Sequence, residues 1–174
     1  MADRKVSVSR VIPAEPAAIF AVVADASRHA SIDGSGSVQS ARGGEAVPLT
    51  LGTKFGMDMK IGVPYKITNE VVEFEQDRLI AWRHFNGHRW RYELEPVEGG
   101  TKVTETFDWS TARIPKMIEL AGYPKKHPPA MERTLERLEA VVTGDAVTED
   151  AGTGAADSDP GAPDTSEGSE NPES

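Results

Sequence analysis

The stretch Leu79–Leu94, LIAWRHFNGHRWRYEL, gathers two histidines, two tryptophans and three arginines around one Asn-Gly. It holds two of the four histidines and one of the three tyrosines of the sequence, side chains that could do acid–base chemistry. The chain has four histidines, His29, His84, His88 and His127, and no cysteine. Thiolate chemistry and disulfides are therefore excluded, which fits a reducing compartment. Neither HxH nor HExxH occurs, and no metal site is expected.

Which of these residues can act together depends on which side of a sheet each one faces. Asn86-Gly87 is the strongest short signal for a two-residue hairpin loop. Such a loop sets Phe85 opposite His88, Arg83 opposite Trp90, Ala81 opposite Tyr92 and Leu79 opposite Leu94, all on one face. Ile80, Trp82, His84, Arg89, Arg91 and Glu93 then share the other face, where Trp82 and Arg91 could form a cation–π pair. With Gly99-Gly100 as the next loop, Leu94 faces Glu105, Tyr92 faces Phe107, Trp90 faces Trp109 and Arg91 faces Asp108. The inner face continues through Val103, Glu105, Phe107 and Trp109. The risk in this assignment is a loop one residue longer, which would invert a strand.

The inner face so drawn is apolar except for Arg83, His88, Tyr92 and Glu105. Buried charge is costly unless it is paired, hydrogen-bonded or wetted. These four groups among wide aromatics point to a cavity rather than a dense core. If the cavity is catalytic, His88 with Tyr92 or Glu105 supplies acid–base groups, and Arg83 a cation. Arg83 and Glu105 stand roughly 13 Å apart in this register, from four residues at ~3.3 Å, so they form no direct pair.

The elements that must carry this hairpin follow from periodicity. Lys5–Ile12 alternates and predicts a strand. Pro16 opens a helix with Ile19, Phe20, Val22 and Val23 on its apolar side. SRHASIDGSGSV predicts a short second helix ended by glycines. KFGMDMKIG places Phe55, Met57, Met59 and Ile61 on one face of a strand. VPYKITNEVVEFE is a further strand with a bulge near Val71-Val72. GGTKVTETFDW completes the meander. A short helix near 114–121 is expected to be separated by Pro124, Pro128 and Pro129 from a long last helix. That helix carries Met131, Leu135, Leu138 and Val142 on its apolar stripe, and Gly144 closes it. One strand, two helices, a meander and one long amphipathic helix predict an α+β fold. In it a curved antiparallel sheet wraps around the C-terminal helix.

All 19 Lys and Arg lie in residues 1–143, with 19 of the 28 Asp and Glu, so that part is neutral. The other nine acids fall in 144–174, a Gly, Ala, Ser and Pro-rich segment without a base or an aromatic. Two parts are expected: a folded domain over 1–143 and a disordered acidic tail over 144–174. A neutral domain with an acidic tail argues against nucleic acid as a partner. The N-terminus lacks the apolar run of a leader, and no stretch approaches the roughly 20 apolar residues of a membrane span. A cytoplasmic protein without stable membrane insertion is expected.

Four segments, VSVSRVIPAEPAAIFAVVAD, YKITNEVVEFEQDRLIAWRHF, HRWRYELEPVEGGTKVTETFDW and MERTLERLEAVV, resemble the START-like (SRPBCC) superfamily. Within it they are most similar to the polyketide cyclase/dehydrase-like group. The resemblance spans residues 4–143 and implies a helix-grip fold with a cavity between the sheet and the last helix. It transfers no catalytic motif. It implies a small hydrophobic or aromatic ligand of lipid, polyketide or isoprenoid type, no cofactor, and at most a weak homodimer. Phe55, Met57, Met59, Trp90, Tyr92, Phe107, Trp109, Met131 and Leu135 are the expected lining, with Arg83 and His88 fixing a polar end. The alternatives are a cofactor-independent cyclase or dehydratase using His88, Tyr92, Arg83 and Glu105, and an interaction module.

Overall fold

A computed structural model describes residues 3–42 and 46–144. The order of elements is β1 (Lys5–Ile12), α1 (Pro16–Val23), a 3-10 turn (Ala26–Arg28) running into α2 (His29–Ile32), β2 (Val38–Ala41), β3 (Lys54–Ile61), β4 (Val63–Glu75), β5 (Leu79–Arg83), β6 (Arg89–Val97), β7 (Gly100–Asp108), α3 (Pro115–Leu120) and α4 (Tyr123–Thr143). The seven strands make one antiparallel sheet in the order β1-β7-β6-β5-β4-β3-β2. With α4 across its inner face, this is the helix-grip architecture expected from the sequence. The acidic segment falls almost wholly outside the described residues.

Alternation builds the sheet. On β3, Phe55, Met57 and Met59 are buried while Lys54 and Lys60 are exposed; Ile61, at the tip, is exposed as well. On β4 the alternation slips between Val71 and Glu73, where the register with β5 shifts, so Val71 and Phe74 both face inward. That is the expected bulge.

Helix α4 buries Ala130, Met131, Thr134, Leu135 and Leu138 against the sheet. Each fully buried Leu or Met contributes about 1.5–3 kcal/mol. The helix is longer than expected. The chain breaks at Gly122, which has φ 72°, and not at the prolines. Pro124 sits in the first turn, where its missing N–H costs nothing. Pro128 and Pro129 lie within the first two turns, and the helix forgoes two amide hydrogen bonds there. Gly144, with φ 75°, ends it.

The glycine-rich segment after α2 is a structural clamp. The Asp33 carboxylate accepts from the amides of Ser35 and Val38 and holds the turn. Gly34 lies against α4: its amide donates to Thr134 Oγ1 at 3.0 Å, and its carbonyl accepts from Arg133 Nε at 2.9 Å. A Cβ on Gly34 would stand 2.2 Å from the Ala130 carbonyl oxygen, so no larger residue fits.

Candidate functional site

The β5–β6 hairpin has a three-residue loop. Gly87 N–H donates to the His84 carbonyl and His84 N–H to the His88 carbonyl, and Arg83 pairs with Arg89. A type I′ turn needs positive φ at both central residues; here only Gly87 has it, at 88°. Docking of the tip selects the longer loop. Asn86 O accepts from Arg113 N–H at 2.7 Å, Gly87 O accepts from Thr111 Oγ1 at 2.7 Å, and a Cβ on Gly87 would stand 2.8 Å from Thr111 O.

One extra residue inverts β5 against the expectation and leaves β6 as expected. Trp82 pairs with Trp90 and Ile80 with Tyr92, all on the inner face. Arg83 faces outward instead and meets Glu70 at 2.7 Å. Trp82 is buried on the inner face, so it makes no outer pair with Arg91, which lies between Glu73 at 3.2 Å and Glu93 at 2.7 Å. The β6–β7 loop is Glu98-Gly99, since Val97 pairs with Gly100. This keeps the parity of β7 but slides it by two: Tyr92 pairs with Glu105, Trp90 with Phe107 and Arg91 with Thr106. The expected Arg91–Asp108 pairing is replaced by Arg89–Asp108.

The four acid–base candidates therefore do not converge. Tyr92 and Glu105 come together at the centre of the sheet, 5% and 3% exposed. Burial pushes the Glu105 carboxyl up to about 8, opposed by a hydrogen bond from Tyr92, so it is a neutral acid at pH 7. Burial likewise raises the Tyr92 phenol well above its ordinary value, helped by the neighbouring Glu105 charge. His88 stands four residues from Tyr92 on the same strand, roughly 13 Å away. Arg83 is on the opposite side of the sheet.

His88 belongs to a second cluster. It stacks on His84 at 4.6 Å between ring centroids and meets the edge of Phe107 at 5.5 Å. His127, expected in a loop, lies on α4 and packs on Phe107 at 4.4 Å and Trp90 at 5.0 Å. Burial pushes His84 down to about 3, with the charges of His88 and His127 adding to it. Burial takes His88 and His127 to about 4. All three are neutral at pH 7. Among the described residues no set of three His, Asp or Glu side chains is placed to hold a metal.

His29 is a third addition. Its Nε2–H donates to Val23 O at 2.8 Å, and its ring stacks on Trp82, which stacks on Tyr92. The sequence carried a signal for His127, four residues before Met131 on the apolar stripe of α4. For His84, only the loop length decides the face.

Of the expected lining residues, Phe55, Met57, Met59, Tyr92 and Leu135 fall in one core cluster and Phe107, Trp109 and Met131 in a second. Phe55, Met57, Met59, Tyr92, Phe107, Trp109, Met131 and Leu135 are buried, with Trp90 packed against them. They pack on one another, however, rather than around an open volume; of these only Trp109 borders either of the two pockets described. One pocket, of about 400 Å³, opens where β4 parts from β5. Asn69 and His84 come to it from inward-facing positions, and Lys54, Glu70, Arg89 and Arg113 surround them. The second, about 370 Å³, lies between Arg4, Trp109, Glu119 and Lys125.

Five buried side-chain atoms on β4–β7 and the hairpin tip have no hydrogen-bond partner in the protein: Asn69 Oδ1, Asn86 Nδ2, His88 Nδ1, Arg89 Nε and Glu105 Oε2. Buried polar atoms are rarely left so; of these residues Asn69 and Arg89 border the 400 Å³ pocket, while His88 and Glu105 lie on the inner face of the sheet.

Among known proteins the chain is 42% identical over 142 residues to the uncharacterized protein Rv0088 of Mycobacterium tuberculosis, covering 77% of this chain. It spans 62% of the length of that relative. The fold is shared with protein NE0264 of Nitrosomonas europaea (TM-score 0.65, 15% identity, covering 83% of this chain and 97% of that one). It is shared too with an AHSA1-like protein of Aeromonas hydrophila (TM-score 0.57, 20% identity, 82% and 96%). Over residues 3–143 the sequence matches the pattern of one family, and the chain belongs to it: the polyketide cyclase / dehydrase and lipid transport family.

Proposed function

We propose that this protein binds a small apolar or aromatic molecule between the sheet and α4, entering beside the β5–β6 tip. The supporting observation is a set of partnerless polar atoms on inward-facing side chains: Asn69 Oδ1 at the pocket, and His88 Nδ1 and Glu105 Oε2 on the inner face. A core evolved only for stability has no use for them, because each forfeits about 1–3 kcal/mol of desolvation. A ligand with an apolar body and one or two polar groups would satisfy them. Family membership supports the same reading. Arg113 and Lys54, at the pocket, would meet the ligand's polar end.

The test is His88→Phe, which keeps an aromatic ring at this position and removes an unpartnered Nδ1. The expected result is a more stable protein that binds worse. Affinity is read by quenching of tryptophan fluorescence with molecules recovered from the purified protein by native mass spectrometry. A variant with higher stability and undiminished affinity would refute the role of this set.

A second reading has its own support. The Tyr92–Glu105 pair is a neutral acid beside a phenol in the buried aromatic core, which suits proton delivery to a carbonyl or enolate oxygen once a substrate is admitted there. This reading is a cofactor-independent cyclisation or dehydration. It requires Glu105→Gln to abolish turnover of a bound polyketide-like substrate while leaving its affinity within a few fold.

A further inference from the structure

Among the described residues, one end of the molecule carries most of the exposed large apolar side chains. Ten such side chains are exposed among these residues, and apart from Val11 and Leu51 they come from three segments. The β3–β4 tip supplies Ile61, Val63 and Tyr65. The β5–β6 tip supplies Phe85. The stretch through α3 into α4 supplies Ile114, Met117, Leu120 and Tyr123. Val63 is 71% exposed, Phe85 67% and Leu120 89%.

These segments meet in space. Asn86, beside Phe85, bonds to Arg113, beside Ile114. Tyr123 lies near enough to Tyr65 to add to the upward push that burial gives the Tyr65 phenol. Isolated exposed leucines need no explanation, but a shared apolar end does.

Basic residues are interleaved with the apolar ones at one to three positions' distance: Lys60 and Lys66 around the β3–β4 tip, Arg113 and Lys116 at the start of α3, Lys125 and Lys126 in the first turn of α4. None of the six is ion-paired among the described residues. The acid in these segments is Glu119. It is taken up by Arg4 and by Trp109 Nε1–H, each at 3.1 Å. The arginines of the outer sheet face behave differently, since Arg78, Arg83, Arg89 and Arg91 are all paired with glutamates. Unpaired cations beside exposed aliphatic and tyrosyl side chains match the layering of a lipid interface, with acyl chains below and anionic headgroups above.

We propose that this end docks on an anionic membrane surface. Val63 and Leu120 enter the headgroup–acyl boundary, and Lys60, Lys66, Lys116, Lys125 and Lys126 sit among the phosphates. The pocket beside the β5–β6 tip then opens close to the bilayer. An apolar ligand would pass between bilayer and protein without crossing water.

The test is co-sedimentation of the full chain, without ligand, with vesicles of phosphatidylcholine alone and of phosphatidylcholine with phosphatidylserine at 7:3. Binding to the anionic vesicles and its loss in high salt are expected. Lys125→Glu/Lys126→Glu should lower the partition coefficient by at least about fivefold per cation removed. Val63→Asp/Leu120→Asp should lower it at least as far. Both pairs are exposed, so the circular dichroism spectrum and melting point should be unchanged. Lys102→Glu, on the outer face of β7 at the opposite end of the sheet, should leave binding intact. Equal binding to neutral vesicles, no binding to either kind, or indifference to both pairs would overturn the proposal. So would a concentration-dependent dimer abolished by Leu120→Asp, which would assign this face to a second copy of the chain. Vesicle binding is read without ligand, so a negative result leaves the interior binding proposal standing.

Discussion

Replacing Glu105 by Gln should make the protein more stable at alkaline pH while changing it little at pH 6. Glu105 is 3% exposed and sits at about 8 against an ordinary value of 4.5. A raised pKa means that the folded chain holds a proton that the unfolded chain has released. The stability this group contributes is therefore fully present below 4.5 and is lost as pH rises through 8. With these two values, linkage at 1.36 kcal/mol per unit gives a loss of roughly 2–3 kcal/mol in the wild type between pH 6 and pH 9. A glutamine is neutral throughout, keeps the carbonyl that accepts from Tyr92 and does not titrate. Urea unfolding at pH 6, 7.5 and 9, followed by tryptophan fluorescence, checks this. The wild-type midpoint should fall while that of Glu105→Gln stays nearly level, so that the curves cross or diverge. Parallel pH dependences would show that Glu105 is ionised in the folded protein, and the neutral-acid argument would fail.

The histidine cluster should act in the opposite direction at acid pH. His84, His88 and His127 are held at about 3, 4 and 4, below their ordinary 6.5, so their contribution is present above pH 6.5 and lost as pH falls toward 4. After discounting all three for partial exposure, stability should fall by ~2–3 kcal/mol per pH unit below pH 6. His84→Gln should lower that slope by about one proton, read from urea midpoints between pH 4.5 and 6.5; an unchanged slope would place His84 in water. Gly34→Ala should cost ~1–3 kcal/mol by forcing the α2–β2 connection off α4, measured by thermal unfolding. Leu138→Ala, at a fully buried position, should cost ~2–5 kcal/mol, whereas Leu120→Ala should stay within ~0.5 kcal/mol.

The element order, the single antiparallel sheet and the apolar stripe of α4 were legible because each rests on a period within its own segment. Lys5–Ile12 alternates and is a strand over those residues. Phe55, Met57 and Met59 face inward as their spacing requires. The inner face of β6 and β7 was legible as well, since Trp90, Tyr92, Val103, Glu105 and Phe107 share it whether the two-residue loop is Gly99-Gly100 or Glu98-Gly99. The extent of α4 was less legible. Local rules place a break at three prolines, but the helix absorbs two of them because Met131, Leu135 and Leu138 bury their side chains just beyond.

The composition of the site was decided elsewhere. A sequence fixes which residues alternate but not the phase between two strands, and one loop residue sets that phase for a whole strand. Asn86-Gly87 admits a two- or a three-residue loop, and the choice is made by contacts with Thr111 and Arg113, some 25 residues away. That choice turned Arg83 out to Glu70, brought Trp82 and His84 in, and let His84 and His88 meet a histidine from α4. The sequence by itself determined the fold and the half of the hairpin that faces inward on β6. Only the tertiary structure decided its partners, because a contact between distant segments, not a local period, set the register.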